Sequence, residues 1–366
     1  MVRVARGLVK QTKRAMHIGI PREIKPLEAR VALIPDACGD LSRMGHEVVV
    51  ERGAGLGSGF SDRDYEASGA TIAEDAPTVY RLADLVVKVK EPWGPEIDLL
   101  RRDQILFSFL HLAANPALTE RLTDIGLTAL AFETVVDDGR LPILAPMSDI
   151  AGRLAVQIGT TLLQTPQGGK GLLLGGLPAA ERGHVVVLGA GNAGSAAVRT
   201  AAAIGARVTV LDRNVQKLAS MRRAGPNVTT LYPHADSLAR AVEEADLLIG
   251  AVLVPGARAP RLITESQVAG MEPGSVIVDI AVDQGGCIGT TRPTTYEAPT
   301  YSVHGVVHFA VTNMPGAVPR SASRALCASL FPWVARLTNR DWRSDPVLSA
   351  AVNVAGGAVA HPAISP

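Results

Sequence analysis

The residues best placed by type and spacing to do chemistry lie in His184-Val-Val-Val-Leu-Gly-Ala-Gly-Asn-Ala-Gly194 and just beyond it. An apolar strand runs directly into a glycine turn of the form G-x-G-x-x-G and then into an alanine-rich helix, where a dinucleotide pyrophosphate would meet the helix N-terminal amides. Gly189 allows the tight turn, Gly191 keeps a Cβ away from the phosphates, and Gly194 lets the helix close on the strand. The turn alone is a weak signal, because glycine-rich turns are common. Arg207-Val-Thr-Val-Leu-Asp212 strengthens it: a second strand ends in a carboxylate about 20 residues further on, as needed to hydrogen-bond an adenosine ribose. The competing reading makes Asp212 a cap for the next helix.

Other polar residues sit where strands are predicted to end, and open α/β sheets bind ligands outside those carboxyl ends. Lys88-Val-Lys90-Glu91-Pro92 closes one strand. Alternation along a strand puts Lys88 and Lys90 on one face, where one could meet a carboxylate; the alternative is a solvated edge. His111, in Phe109-Leu-His-Leu-Ala113, is a lone imidazole in an apolar stretch, a setting commoner for a satisfied core histidine than for a catalyst. Asp283 follows a predicted strand over 275–279 and precedes Gln284-Gly-Gly286, a turn that brings its carboxylate to the ligand edge or closes an Asx-turn. There is no H-E-x-x-H and no paired Cys and His spacing, so no metal site is predicted.

The elements that must position these groups follow from the wider pattern. The 366 residues, 47% of them hydrophobic, suffice for about two domains with substantial cores. A formal net charge of +1 supplies no field that would recruit nucleic acid or an anionic membrane, which favours a small neutral or anionic substrate. Cys38, Cys287 and Cys327 are scattered and odd in number, pointing to free thiols in a reducing cytoplasm. No apolar run reaches the roughly 18 residues of a membrane span. Residues 1–15, basic and without an acid, read as a disordered extension, and Met16 offers a second start. Short β-branched runs at Glu47–Val50, Asp84–Val89 and Ala129–Ala131 alternate with helical patterns, the signature of parallel βαβ units. Ile150, Leu154, Ile158 and Leu162 recur every four residues, predicting a long helix over Met147–Gln164. Gln167–Gly176 reads as a flexible approach to the nucleotide strand. Further strands are predicted at Leu247–Gly250, Ser275–Asp279 and Val306–Ala310, with a helix announced by the capping box Thr264-Glu-Ser-Gln267. The tail from Ala350 is rich in alanine and glycine.

Taken in order, these signals resemble the alanine dehydrogenase family, which also includes the NAD-binding part of proton-translocating transhydrogenase. The matching stretches include Gly19–Lys25, Glu28–Ala32, Gly53–Ser58, Lys88–Pro92, Phe109–Ala113, Leu144–Ser148, Ala151–Ala155, Gly189–Gly194, Ile249–Gly256, Asp279–Cys287, Arg292–Thr295 and Asn313–Met-Pro-Gly316. They extend over roughly residues 16 to 340; a dozen blocks in register are specific where no single one is. Departures are Pro26-Leu27 before the Glu-x-Arg, Pro233 after Tyr232, Arg324 where an aromatic is usual, and an atypical tail after Asp341.

The resemblance implies an α/β fold of two doubly wound parallel-sheet domains flanking a cleft. A Rossmann NAD-binding domain would span 143–320, and a Rossmann-like substrate domain would join 16–142 to 321–366. By the same resemblance Arg30 and Lys90 bind substrate and His111 and Asp283 are catalytic. NAD would be contacted by Ser148, Gly189, Gly191, Asn192, Ala193, Gly194, Asp212, Lys217, Val252, Leu253, Ile280, Ala281, Val282, Asp283, Val311, Thr312, Asn313 and Met314. The implied activity is NAD-dependent, reversible oxidative deamination of L-alanine to pyruvate and ammonium by a cytoplasmic homohexamer. Alternatives are a different amino acid at the same site, reductive joining of an amine to a 2-oxo acid, a transhydrogenase-like component, or a non-catalytic nucleotide-binding module.

Overall fold

The computed structural model describes residues 15–253 and 259–364. The expected N-terminal extension, apart from Ala15, lies outside the described residues, as does the end of the 249–256 block. The chain divides into two compact units, one built from residues up to Ile143 together with those from Val318 onward, the other from Leu144 to Ala317. The return to the first unit comes before Pro319, so helix Pro319–Leu337 belongs to it entirely.

Among the described residues the first unit holds an eight-stranded sheet. Its strands are β1 (His17–Ile20), β2 (Glu47–Glu51), β3 (Thr71–Ala73), β4 (Leu85–Val87), β5 (Ile105–Ser108) and β6 (Thr128–Ala131), with β14 (Val352–Ala355) and β15 (Ala358–Val359) from the C-terminal end. The order is β15-β14-β6-β5-β4-β1-β2-β3. β1 to β6 are parallel, and β14 and β15 add an antiparallel edge. The tail that reads as low complexity is therefore a hairpin. Gly356 and Gly357 form its two-residue loop with φ of +60° and +81°, the left-handed pair a tight hairpin turn demands.

The second unit's sheet has β7 (His184–Leu188), β8 (Arg207–Leu211), β9 (Val228–Leu231), β10 (Leu247–Gly250), β11 (Val276–Asp279), β12 (Thr300–Val303) and β13 (Val306–Phe309). Their order is β12-β13-β11-β10-β7-β8-β9, parallel apart from the β12–β13 pair. Without their antiparallel edges both sheets follow one doubly wound scheme, reversing direction between β1 and β4 in the first and between β7 and β10 in the second.

Burial explains the choice of central strands. Every residue of β7, β10 and β11 is buried, as helices covering both faces of a parallel sheet require, and each such valine contributes about 1.5 kcal/mol or more relative to exposure. Helix Ala145–Leu162 packs on helix Asn192–Ile204 through Gly152, whose position would bring a Cβ to 2.0 Å from the Ala193 carbonyl oxygen. The glycine-rich approach to β7 is pinned by main-chain bonds: Gly171 N donates to Leu163 O at 2.8 Å and Lys170 N to Gly274 O at 3.1 Å. The Lys170 ammonium also pairs with Asp246 and Glu272. Thr264 caps its helix reciprocally with Gln267. No helix among the described residues is long and apolar enough to cross a membrane.

Candidate active site

In the second unit the glycine turn leaves β7 at the reversal point. Gly189 has φ +96°, and a Cβ there would stand 2.8 Å from Ala251 O. At Gly194 a Cβ would reach 1.8 Å from Gly189 O, so only glycine lets the helix start this close to the strand. Gly191 differs, because nothing lies within 4 Å of its Cβ position. Space is kept open on the side where a pyrophosphate would approach the first turn of helix Asn192–Ile204, which carries Asn192 and Ala193.

Asp212 directly follows β8, beside that turn. Its Oδ2 accepts from Ala190 N at 2.7 Å and its Oδ1 from Asn214 N at 2.7 Å. The helix-cap role falls instead to Asn214, whose Oδ1 accepts from Gln216 N and Lys217 N. Asp212 thus braces the glycine turn against β8, and as an ionised carboxylate it has about four acceptor positions, which leaves capacity for a ribose hydroxyl.

The remaining expected contacts also follow strand ends. Val252 and the exposed Leu253 follow β10; Ile280, Ala281, Val282 and Asp283 form a 3-10 turn, Ile280–Gln284, after β11; Val311, Thr312, Asn313 and Met314 follow β13. Ser148 lies in the first turns of helix Ala145–Leu162, and Lys217 is exposed on helix Val215–Met221. Asp283 is exposed, and its Oδ1 accepts from Asn313 N at 3.3 Å, tying the turns after β11 and β13 together.

One carboxylate that sequence reading passes over organises this edge. Asp279, the last residue of β11 and 1% exposed, accepts from Ala281 N (3.0 Å), Cys287 N (2.9 Å), Ile288 N (3.3 Å) and Thr291 Oγ1 (2.7 Å). Burial raises its pKa, and these bonds act against that rise. Its position at a strand end was the available signal, but its partners lie up to 12 residues away.

The first unit repeats the logic. Arg30 follows β1 and Lys90 follows β4, the two strands that flank the reversal, while His111 follows β5 and Glu133 follows β6. β4 stops at Val87, so strand alternation does not extend to Lys88 and Lys90, and their environments differ. Lys88 is no solvated edge: it is 1% exposed, and its Nζ meets Glu23 and Glu96, each at 3.1 Å. Burial would lower its pKa, but the two carboxylates outweigh that and raise it. Glu23 also accepts from Val89 N at 2.5 Å and Lys90 N at 3.4 Å, which fixes the main chain under the half-buried Lys90.

Arg30 is 3% exposed, and the Nε/Nη2 side of its guanidinium forks onto Glu28, with Nε at 2.7 Å from Oε1. The resemblance makes Arg30 a substrate-binding residue; the structure gives this side of its guanidinium to Glu28. His111 is not a core histidine. Its side chain is 48% exposed, its ring stacks on Phe109, and Nδ1 lies 3.8 Å from Glu133 Oε1. Arg324, the departure at an aromatic position, places its guanidinium 5.0 Å from the centroid of the Phe60 ring, a cation–π contact within the first unit. Among the described residues no group of three or more His, Cys, Asp or Glu could hold a metal ion.

Two doubly wound sheets, a glycine turn kept open at a reversal point, and a carboxylate ending the neighbouring strand define the dinucleotide-binding α/β class of enzyme. Within that class the chain belongs to the alanine dehydrogenase/PNT family: the N-terminal domain of the family matches residues 19–151 and the C-terminal domain residues 155–362. An alanine dehydrogenase from Mycolicibacterium smegmatis is 47% identical over 356 residues, covering 96% of each chain. A solved L-alanine dehydrogenase superposes with a TM-score of 0.92 at 48% identity, over 95% of this chain and 98% of that one. A transhydrogenase from Sinorhizobium meliloti superposes at 0.83 with 28% identity, over 95% and 99%.

Proposed function

We propose that this chain catalyses the reversible oxidative deamination of L-alanine to pyruvate and ammonium with NAD as hydride acceptor. The observation that carries the reading is the combination of near-full-length identity to alanine dehydrogenases with two cations, Arg30 and Lys90, at the reversal point of the first sheet. A purely nucleotide-binding component would leave that second set of polar residues without a task.

The open face of Gly191 and the carboxylate of Asp212 fit a dinucleotide, and Asp212 favours NAD because it would accept from a 2′-hydroxyl and repel a 2′-phosphate. When bound, NAD supplies the acceptor for hydride from the amino-acid Cα. Every other part falls to side chains. Arg30 and Lys90 hold the substrate carboxylate by charge-assisted bonds. His111 and Asp283 move protons and activate the water that hydrolyses the imine, the transfers that a positioned side chain performs as general acid or base. Assembly as a homohexamer in the cytoplasm belongs to the same reading and is supported by resemblance.

The test is NADH oxidation with pyruvate plus ammonium, repeated with larger 2-oxo acids and with primary amines in place of ammonium. Selective turnover of pyruvate with ammonium is expected. Preference for a larger oxo acid would move the assignment to another amino acid, and absence of any amination would return the chain to nucleotide binding alone.

A further inference from the structure

The C-terminal hairpin and the short turn after it pack around the segment that carries His111. His111 has φ +49°, a left-handed conformation that a residue with a Cβ keeps only where its surroundings over-determine it. Two sets of contacts do so. On the upstream side the Glu133 carboxylate accepts from Leu110 N at 3.2 Å and His111 N at 2.6 Å. On the downstream side His111 O accepts from Ala114 N at 3.0 Å, and Leu112 is buried.

Both sets end on the C-terminal segment. Thr134 neighbours Glu133 in the 3-10 turn Phe132–Thr134; its hydroxyl lies 3.1 Å from both Ala131 O and Ala351 O and accepts from Asn353 Nδ2 at 2.8 Å. Asn353 is 1% exposed and its Nδ2 also donates to Ala351 O at 3.0 Å, while its main-chain carbonyl accepts from Ala360 N at 2.8 Å. Leu110 and Leu112, on either side of His111, share one apolar cluster with Val354 of β14, and Ile364 packs on that cluster. The contacts that join the two segments are remote in sequence: Asn353 reaches Thr134 across 219 residues and Thr134 reaches Ala351 O across 217.

We propose that residues 351–364 are the positioning element for His111. The Thr134–Asn353 bond fixes the turn bearing Glu133, Glu133 fixes the amides of Leu110 and His111, and Val354 with Ile364 holds the flanking leucines. The imidazole is thereby presented in one orientation, and Thr134 and Asn353 are positioning residues for its proton transfer. The proposal rests on the assignment of His111 as a proton-transfer group.

The experiment uses the full chain and compares Thr134→Val, which deletes the hydroxyl at constant shape, with Thr134→Ser, which keeps it. Asn353→Asp, which removes the donor, is the independent variant. Steady-state amination of pyruvate, NADH affinity by fluorescence and thermal melting are measured on each, with His111→Ala alongside. Thr134→Val and Asn353→Asp both remove the Thr134–Asn353 bond and are expected to lower kcat about tenfold, the typical size of a hydrogen bond's net contribution expressed in the transition state. NADH affinity should hold, because the glycine turn and Asp212 belong to the other unit, and Thr134→Ser should recover most of kcat. If Thr134→Val fails to fold, Ile364→Ala tests the same clamp from its apolar side and carries the same expectation. Unchanged kcat in the folded variants, with His111→Ala inactive, overturns the clamp alone. An active His111→Ala overturns the assignment of His111 and the clamp with it. Parallel losses of kcat, NADH affinity and melting temperature overturn positioning in favour of a general structural role.

Discussion

Replacing Asp212 by Asn tests the nucleotide half of the site most sharply, because the structure gives this carboxylate two jobs. Oδ2 and Oδ1 each accept a main-chain amide at 2.7 Å, from Ala190 inside the glycine turn and from Asn214 after β8. An asparagine has one acceptor oxygen, so its NH2 must face one of those N–H groups donor to donor. A hydrogen bond to a charged group contributes about 1.5–3 kcal/mol, and losing one in the state that binds cofactor weakens affinity by about tenfold to hundredfold. The same substitution removes the charge that repels a 2′-phosphate, while the exposed Arg213 stays in place. Fluorescence titration with NADH and NADPH, with a melting curve on each sample, separates the effects. NADH affinity should fall within that range, the preference for NADH over NADPH should narrow, and melting should drop modestly as the turn loosens. An Asp212→Asn variant that binds NADH as the parent does, with unchanged discrimination, would falsify both the bracing role and the ribose assignment.

Other expected outcomes follow from the same geometry. Lys90→Ala should keep its melting temperature and lose turnover by about tenfold to hundredfold, whereas Arg30→Ala should lose both, because it breaks the buried ion pair with Glu28; equal melting of the two variants would contradict the buried pair. Asp283→Asn and His111→Ala should bind NADH and lose about 10² to 10⁴-fold in rate, and either variant that stays folded and keeps most of its rate returns that residue to a structural role. His184 and His308 are held below the ordinary imidazole pKa, chiefly by burial, with Thr209 and Thr290 hydroxyls at their Nε2 atoms. The unfolded chain therefore binds more protons than the native one below about pH 6.5, so this stability is complete above that pH and is lost as pH falls toward the lower native values. Melting temperature followed from neutral pH downward should show the decline, and His184→Gln should make it shallower.

The amino-acid sequence by itself determined the parts whose signal is local. Five buried residues in a row at β7, a glycine turn with one conformation available to Gly189, and the reciprocal cap of Thr264 and Gln267 are each encoded within a few residues of chain. It determined less where elements are short or lack a period: β3 has three residues, β5 continues without alternation into Phe109 and Leu110, and the final hairpin is disguised by its alanines and glycines. Tertiary structure alone decided what each polar group meets. Lys88 and Lys90 stand two residues apart in the same motif, yet one is sealed between Glu23 and Glu96 and the other is half-buried, because β4 ends between β1 and β5 where Glu23 arrives from 65 residues upstream. His111 is exposed within an apolar stretch because Glu133, at the end of the next strand, holds its amide in a left-handed turn. Periodicity and turn chemistry act over a few residues and can be read along the chain; the partner of a buried charge depends on strand order, which is fixed only when distant segments lie side by side.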